Sequence, residues 1–333
     1  MHECYCGKPM HNVVAAGCSI LNGLTVTIFP RIGCSQSMSD TPEKAGHITV
    51  NIASWVERAK ADPVAYLERQ ATELFLATLA MTRPYCQQVF LKGGILMGVV
   101  YGSPRQTGDI DFTTTLAPQP GIAEELAEAL NKNFPRASAE LGYPDLMCQV
   151  QSCKYFPKGE AFPKNDGPAV TLSVGYAMRG SKQEKHLHAL RSPTRLKIDI
   201  SFKEPVGAIQ VVYTEACEDG FGAYSLCDLM AEKLRALLQQ EKRDRYRRQD
   251  FYDLDVLIQG FPLDAEEKQS LLARLYEKCR ARDIEPDANG LSNPEIIRRA
   301  REEWHSNALE ITGLPDFDEC HKRVNDFYQS LPW

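Results

Sequence analysis

Several common signatures are missing from this 333-residue chain. No Cys-x-x-Cys pair occurs among its 11 cysteines, so a zinc ribbon or a thioredoxin-like redox site has no support. No Gly-x4-Gly-Lys-Ser/Thr stretch occurs, which excludes a Walker-type phosphate loop. Positive net charge is lacking too: the formal value is −6, so any contact with nucleic acid must come from a local basic patch. The most apolar run, residues 13–30, is broken by Asn22, Gly23 and several threonines and does not read as a membrane span. There is no internal repeat. What remains, 43% hydrophobic and 25% charged residues, is the profile of a globular protein with a sizeable core, and scattered cysteines suit a reducing cytoplasm.

Residues 1–37 are rich in Cys and Gly and almost free of acids. Residues 1–45 are therefore expected to form a poorly ordered extension, with Met38-Ser39-Asp40 as a natural start, and residues 39–48 read as a polar loop. Asp62-Pro63 is a helix start, with a capping side chain followed by proline at the first position. Short period-two segments at 88–91, 109–114, 148–155, 170–178, 196–203 and 209–214 read as strands. The segment between 178 and 196 reads as a long basic loop. Past Gly222 the pattern turns helical to the end, at about 225–241, 247–259, 264–281, 294–308 and 316–330. The expected outline is an α+β domain over residues 46–215 and a helical carboxy-terminal domain over 216–333.

Alternation on a strand places Asp109 and Asp111 on one face while Ile110 and Phe112 bury the other. Hard divalent cations favour such oxygen ligands. In Leu196-Lys-Ile-Asp-Ile-Ser-Phe202, Asp199 is a natural third carboxylate if this strand lies beside the first. Three such acids could hold two metals ~4 Å apart, as in-line phosphoryl transfer uses. Asp253/Asp255 has the same spacing but a helical pattern, and Asp316 reads as a helix cap; neither pair is expected to bind metal. Gly93-Gly94 at a strand-to-helix turn lets backbone N–H groups approach an anion, and Arg105 could meet a phosphate.

Two charges fall on apolar helix stripes. Lys233 lies among Leu226, Leu229, Met230, Leu234 and Leu237; Asp250 lies on the side of Leu254 and Leu257. Buried charges need a partner or a use. They read either as an ion pair joining two helices or as site residues, Lys233 on nucleotide phosphates and Asp250 orienting or deprotonating an acceptor. The run between them, with Lys242, Arg243, Arg245, Arg247 and Arg248 around Tyr246, reads either as a solvated face or as a track for an RNA backbone.

With these segments together, the chain resembles the AbiEii/AbiGii-type nucleotidyltransferases, the toxin component of type IV toxin–antitoxin systems. The resemblance rests on LKGG (91–94), YGSPRQTGDIDF (101–112), KIDIS (197–201), AEKLRALL (231–238) and RRQDFYDL (247–254), in that order. It implies a polymerase β-like nucleotidyltransferase fold, a mixed sheet with flanking helices, plus a helical carboxy-terminal part. It implies that Gly93 and Gly94 open the nucleotide site, that Asp109 and Asp111 bind Mg2+ with Asp199 in the third-acid position, and that Lys233 and Asp250 belong to motifs required for activity. Thr107-Gly108 stands where the family often has Ser-Glu, and Gln249 where it often has arginine. The expected activity is transfer of a nucleoside monophosphate from an NTP to an acceptor, with RNA, tRNA in particular, preferred, and control by a cognate antitoxin. The alternatives are a small-molecule or protein hydroxyl as acceptor, a non-catalytic RNA-binding regulator on the same fold, or a phosphodiesterase.

Overall fold

The computed structural model describes residues 18–21, 24–28, 44–105, 107–214, 217–302, 304–309, 311 and 313–333. Most of the expected extension, residues 1–45, lies outside the described residues. Two short strands, β1 (Cys18–Leu21) and β2 (Leu24–Ile28), are described within it. Next come β3 (Lys44–Val50), α1 (Ile52–Glu57), α2 (Pro63–Met81), β4 (Val89–Lys92), α3 (Gly93–Val99), β5 (Asp109–Thr114), α4 (Ile122–Glu140), β6 (Leu146–Phe156) and β7 (Ala169–Met178). The chain continues with α5 (Lys182–His188), β8 (Arg195–Ser201), β9 (Ile209–Thr214), β10 (Cys217–Tyr224), α6 (Leu226–Leu238), α7 (Arg248–Gly260), α8 (Ala265–Arg280), α9 (Pro294–Arg301) and α10 (Phe317–Gln329).

The described strands form one mixed sheet in the order β1-β2-β3-β9-β10-β4-β5-β8-β7-β6. Three neighbouring pairs are parallel, β3/β9, β10/β4 and β5/β8. Each is joined by a long crossover, as parallel strands require. The register of β5 on β8 sets Ile110 opposite Ile198, Asp111 opposite Asp199 and Phe112 opposite Ile200. Ile110, Phe112, Ile198 and Ile200 are buried in the core, so a one-residue slip of either strand would expose its pair. Helix α2 lies across this core. Asp62 caps it, accepting from the N–H of Val64 and of Ala65, and residues 71–80 are buried without a break.

Four segments depart from the sequence expectation. Residues 44–48, expected as loop, belong to β3, because its backbone pairs with β9 from Lys44 to Val50. β10 extends the sheet beyond residue 215 and sits between β9 and β4, so the helical part opens at α6. Its glycines hid the strand pattern: a Cβ at Gly222 would meet the Phe90 ring. Helix α4, which the sequence pattern ends at Phe134, runs on through Pro135 to Glu140 because Leu130, Phe134 and Ala137 continue one buried face, which offsets the hydrogen bond that proline removes. The basic loop between β7 and β8 contains α5, anchored by the buried Leu187.

The carboxy-terminal helices pack α6 on α7 and α8, and α7 on α10. Asp264 and Glu267 form a capping box at α8. Arg323 of α10 holds Asp255 of α7 through two hydrogen bonds of 2.7 and 2.8 Å, so Asp255 is a structural ion-pair residue.

Candidate active site

Strand β4 ends at Lys92 and the chain turns at once into α3. The turn needs Gly93: its φ is +68°, and a Cβ there would overlap Asp111 Oδ2. Gly93 thus backs directly on the middle acid of β5. Asp111 lies beside Asp199 in the β5/β8 register, and Asp109 lies one pleat away on the same face. Asp199 accepts from Thr171 Oγ1 at 2.5 Å and faces Lys197 Nζ at 2.8 Å; the same ammonium donates to Asp109 Oδ2 at 2.9 Å. All three expected acids therefore share one face, with Lys197 between the two outer ones.

Asp111 is half-buried, while Asp109 on the same strand is exposed. Burial raises its pKa to about 6. The Lys92 ammonium opposes that rise, while Glu232, Asp199 and Asp109 add to it. Lys92 is opposite Asp111 across β4/β5 but spends its charge elsewhere, on Glu204 at 2.5 Å and Glu232 at 3.1 Å. Burial pulls the Lys92 pKa down, and these two carboxylates more than reverse it. Neither Lys92 nor Glu232 stands out in the sequence as a site residue. The available signal was a lysine closing an otherwise apolar strand.

Among the described residues, no group of three or more His, Cys, Asp or Glu is drawn tightly enough together to be a ready metal cage. The donor set still suits a hard cation. Asp111 carries a desolvated carboxyl crowded by like charges, and the missing side chain of Gly93 leaves a cradle against its Oδ2. Magnesium needs only one or two protein carboxylates when substrate phosphates and water complete its shell.

The second half of the site is helical. Lys233 Nζ of α6 donates to Asp253 Oδ2 at 2.6 Å and to Asp250 Oδ1 at 3.1 Å, both on α7. The ion pair between two helices, one of the two readings of the sequence, is thus present. Asp253, which its helical pattern places outside any metal site, is the hub here. It is fully buried and also takes Arg105 in a two-pronged contact, Nε and Nη2 both at 3.2 Å. Its pKa is pushed up by burial, then brought below the ordinary carboxylate value by Lys233 and Arg105. Helical spacing could have found it, since Asp253 lies one turn after Asp250 on the same side. Asp250 is less enclosed and also has Arg247 Nη1 3.7 Å away.

Gly93-Gly94 joins the two halves. Gly93 abuts Asp111; a Cβ on Gly94 would come within 2.8 Å of Arg105 Nη2 and 2.9 Å of Thr107 Cβ. Arg105 then leads to Asp253, Lys233 and Asp250. The structure therefore places the strand acids, the glycine turn and the helical charges in sequence, without a direct contact between Lys233 and the strand acids. His186 and His188 lie on α5, which packs on β6 and β7, with His188 3.8 Å from Glu184.

This architecture is that of a nucleotidyltransferase. The nucleotidyltransferase toxin MenT4 of Mycobacterium tuberculosis has the same fold, with a TM-score of 0.51 at 15% identity over 84% of this chain and 88% of that one. JHP933 from Helicobacter pylori aligns at 16% identity over 79% of this chain and 90% of that one, with a TM-score of 0.43. No curated protein sequence matches the chain. The model of the AbiEii family, nucleotidyl transferase toxins of type IV toxin–antitoxin systems, matches residues 74–323, well over half of the chain and every site residue named above. The chain belongs to that family and is a nucleotidyltransferase with an NTP as substrate. No helix among the described residues is long and apolar enough to cross a membrane.

Proposed function

We infer that the protein transfers a nucleoside monophosphate from an NTP to RNA, with the tRNA 3′ end as acceptor, and does so with Mg2+ held by Asp109 and Asp111, two ions when Asp199 also contributes. The acceptor oxygen bonds to the α-phosphorus, the bond from that phosphorus to the bridging oxygen of the β-phosphate breaks, and pyrophosphate leaves with the electron pair. Bound magnesium would neutralise charge on the triphosphate and lower the pKa of the attacking hydroxyl. Gly93 and Gly94 let the backbone come close to the phosphates. Lys233 and Arg105 supply positive charge beside them. Asp250, the less enclosed acid of the helical cluster, orients the acceptor hydroxyl and takes its proton.

The observation that carries this reading is the continuous line from Asp199 and Asp111 through the glycine turn to Arg105, Asp253, Lys233 and Asp250. RNA as acceptor is supported by the connection between α6 and α7. Residues 242–246 are exposed there, between the two helices that bear Lys233 and Asp250. Arg243 is held below the ordinary guanidinium value by burial and by Arg282, Arg235, Arg247 and Arg245 around it, a crowding that an anionic backbone would relieve. Tyr246 is exposed, with Arg299 5.7 Å from its ring centre. The protein acts in the cytoplasm, where a cognate antitoxin limits the damage to translation.

The test is incubation with each labelled NTP and total RNA, with and without magnesium. Label should enter tRNA only with the metal present, and Asp111→Asn should abolish it. Label in protein or small molecules, with none in RNA, would overturn the choice of acceptor.

A further inference from the structure

Against α3 lies a cavity of about 70 Å³, lined by Trp55, Glu68, Arg69, Gly94, Arg105 and Thr107, among others. It shares Gly94 and Arg105 with the site above. Its volume is far below the roughly 300 Å³ at which pockets for whole nucleosides or drug-sized ligands begin, so a base with its sugar does not fit. A phosphoryl group does.

The charges around the cavity are unusual. Arg69 lies against the Trp55 ring, 4.7 Å from its centre, and donates to the Trp55 carbonyl at 2.6 Å. Arg58 donates to the carbonyl of Gly98, which also lines the cavity, at 3.4 Å. Neither guanidinium has a carboxylate within ion-pair distance among the described residues. The more deeply enclosed cations Lys92, Arg105, Lys233, Lys278 and Arg299 each reach an acid. Glu68 is the one acid of the lining; burial raises its pKa and the Arg69 charge opposes the rise without a direct ion pair. Two glycines one turn apart make the space. A Cβ on Gly98 would stand 3.0 Å from Trp55 Nε1, and one on Gly94 would displace Arg105. A half-buried guanidinium, Arg69, bonded only to a carbonyl oxygen and facing a phosphate-sized space that Arg105 also lines, forms an anion receptor.

We propose that this cavity holds the terminal phosphate of the NTP, with Arg69 as the principal ligand and Arg105 shared with the catalytic site. The proposal rests on the placing of the nucleotide over Gly93 and Gly94. The α-phosphorus then lies near Asp111, the β-phosphate passes Gly94 and the γ-phosphate enters the cavity. Arg69 thereby neutralises the pyrophosphate as it departs, and the site distinguishes a triphosphate from a monophosphate.

The experiment is calorimetric titration of the full chain with inorganic tripolyphosphate in the presence of magnesium, alongside a nucleoside monophosphate. Arg69→Gln keeps a donor for the Trp55 carbonyl and removes the charge; Arg69→Lys keeps the charge. Arg69→Gln should weaken tripolyphosphate about 10-fold or more, leave the monophosphate within about twofold, and raise KM for NTP about 10-fold with a smaller change in kcat. Arg69→Lys should recover part of the loss. A correctly melting Arg69→Gln protein that binds tripolyphosphate like the parent would overturn the proposal, as would equal weakening of the monophosphate. If Arg69-dependent tripolyphosphate binding is found while no acceptor is labelled, the cavity assignment stands and the acceptor reading falls.

Discussion

The two halves of the site solve opposite electrostatic problems. On the strands, three carboxylates share one face with Lys197, the neighbouring Lys92 is taken up by Glu204 and Glu232, and Asp111 is left with a raised pKa. On the helices, Asp250 and Asp253 are matched by Lys233 and Arg105, and the pairing is tight enough to sink Asp253 completely. The first half carries negative charge that something from outside must balance. The second is paired internally, with Asp253 as its fixed frame and Asp250 at its more open edge. Burial cost decides between them. A buried charge is tolerated when it is paired and hydrogen-bonded, while an unpaired one keeps demanding a counter-ion.

The sharpest way to break this contrast is to remove the charge from Asp111. Asp111→Asn should lower transfer by about 10³-fold or more, since the acid closest to the glycine turn is lost. The metal-free protein should at the same time become more stable. The folded pKa of about 6 lies above the ordinary carboxylate value, so the native state holds this proton more tightly than the unfolded one. Ionising Asp111 therefore costs stability as pH rises from about 4 to about 6, on the order of 1–3 kcal/mol. Melting curves in chelator should coincide for the two proteins near pH 4 and separate by pH 7, with the variant higher. A variant that melts lower at pH 7 would refute the idea of an unbalanced strand site.

Asp253→Ala is the converse case. It strands Lys233 and Arg105 in the interior, so urea unfolding should show a loss of about 3–5 kcal/mol. Asp250→Asn, at the less enclosed edge of the same cluster, should cost about 1 kcal/mol yet lose most of the transfer activity. Equal stability losses at the two positions would show that the frame and the reactive edge are not separate. A smaller effect is expected at the junction. Gly94→Ala drives a methyl group toward Arg105 and Thr107, and KM for NTP should rise roughly 10-fold with about 1–2 kcal/mol of destabilisation. Smallest of all, removing Lys242, Arg243 and Arg245 should leave KM for NTP unchanged. The salt dependence of RNA binding should become shallower, by about one in slope for each phosphate the protein no longer neutralises.

How much of this could be read from the residues differs by element. The face shared by Asp109 and Asp111 follows from the period of a strand, and the apolar partners Ile110 and Phe112 made that strand legible. The start of α2 was legible in Asp62-Pro63. Lys233 stood out because a lysine on an apolar stripe needs an explanation. Asp253 did not, because its spacing to Asp255 drew attention to a test for strands that a helix must fail. Lys92 looked like the polar end of a short strand; its partners Glu204 and Glu232 lie 112 and 140 residues further on. β10 was hidden by Gly220 and Gly222, whose lack of side chains lets the neighbouring Val211 and Phe90 pack against the strand.

The amino-acid order by itself determined the alternating faces, the helix caps, the turn at Gly93-Gly94 and the motifs that mark the AbiEii family, because each depends on residues a few positions apart. Only the tertiary structure decided that β8 lies beside β5 in the register that sets Asp199 against Asp111, that Lys197 bridges to an acid 88 residues away, and that Asp253 gathers both cations of the helical half. Those outcomes depend on which surfaces close over one another when the core forms, and local spacing carries no record of that choice.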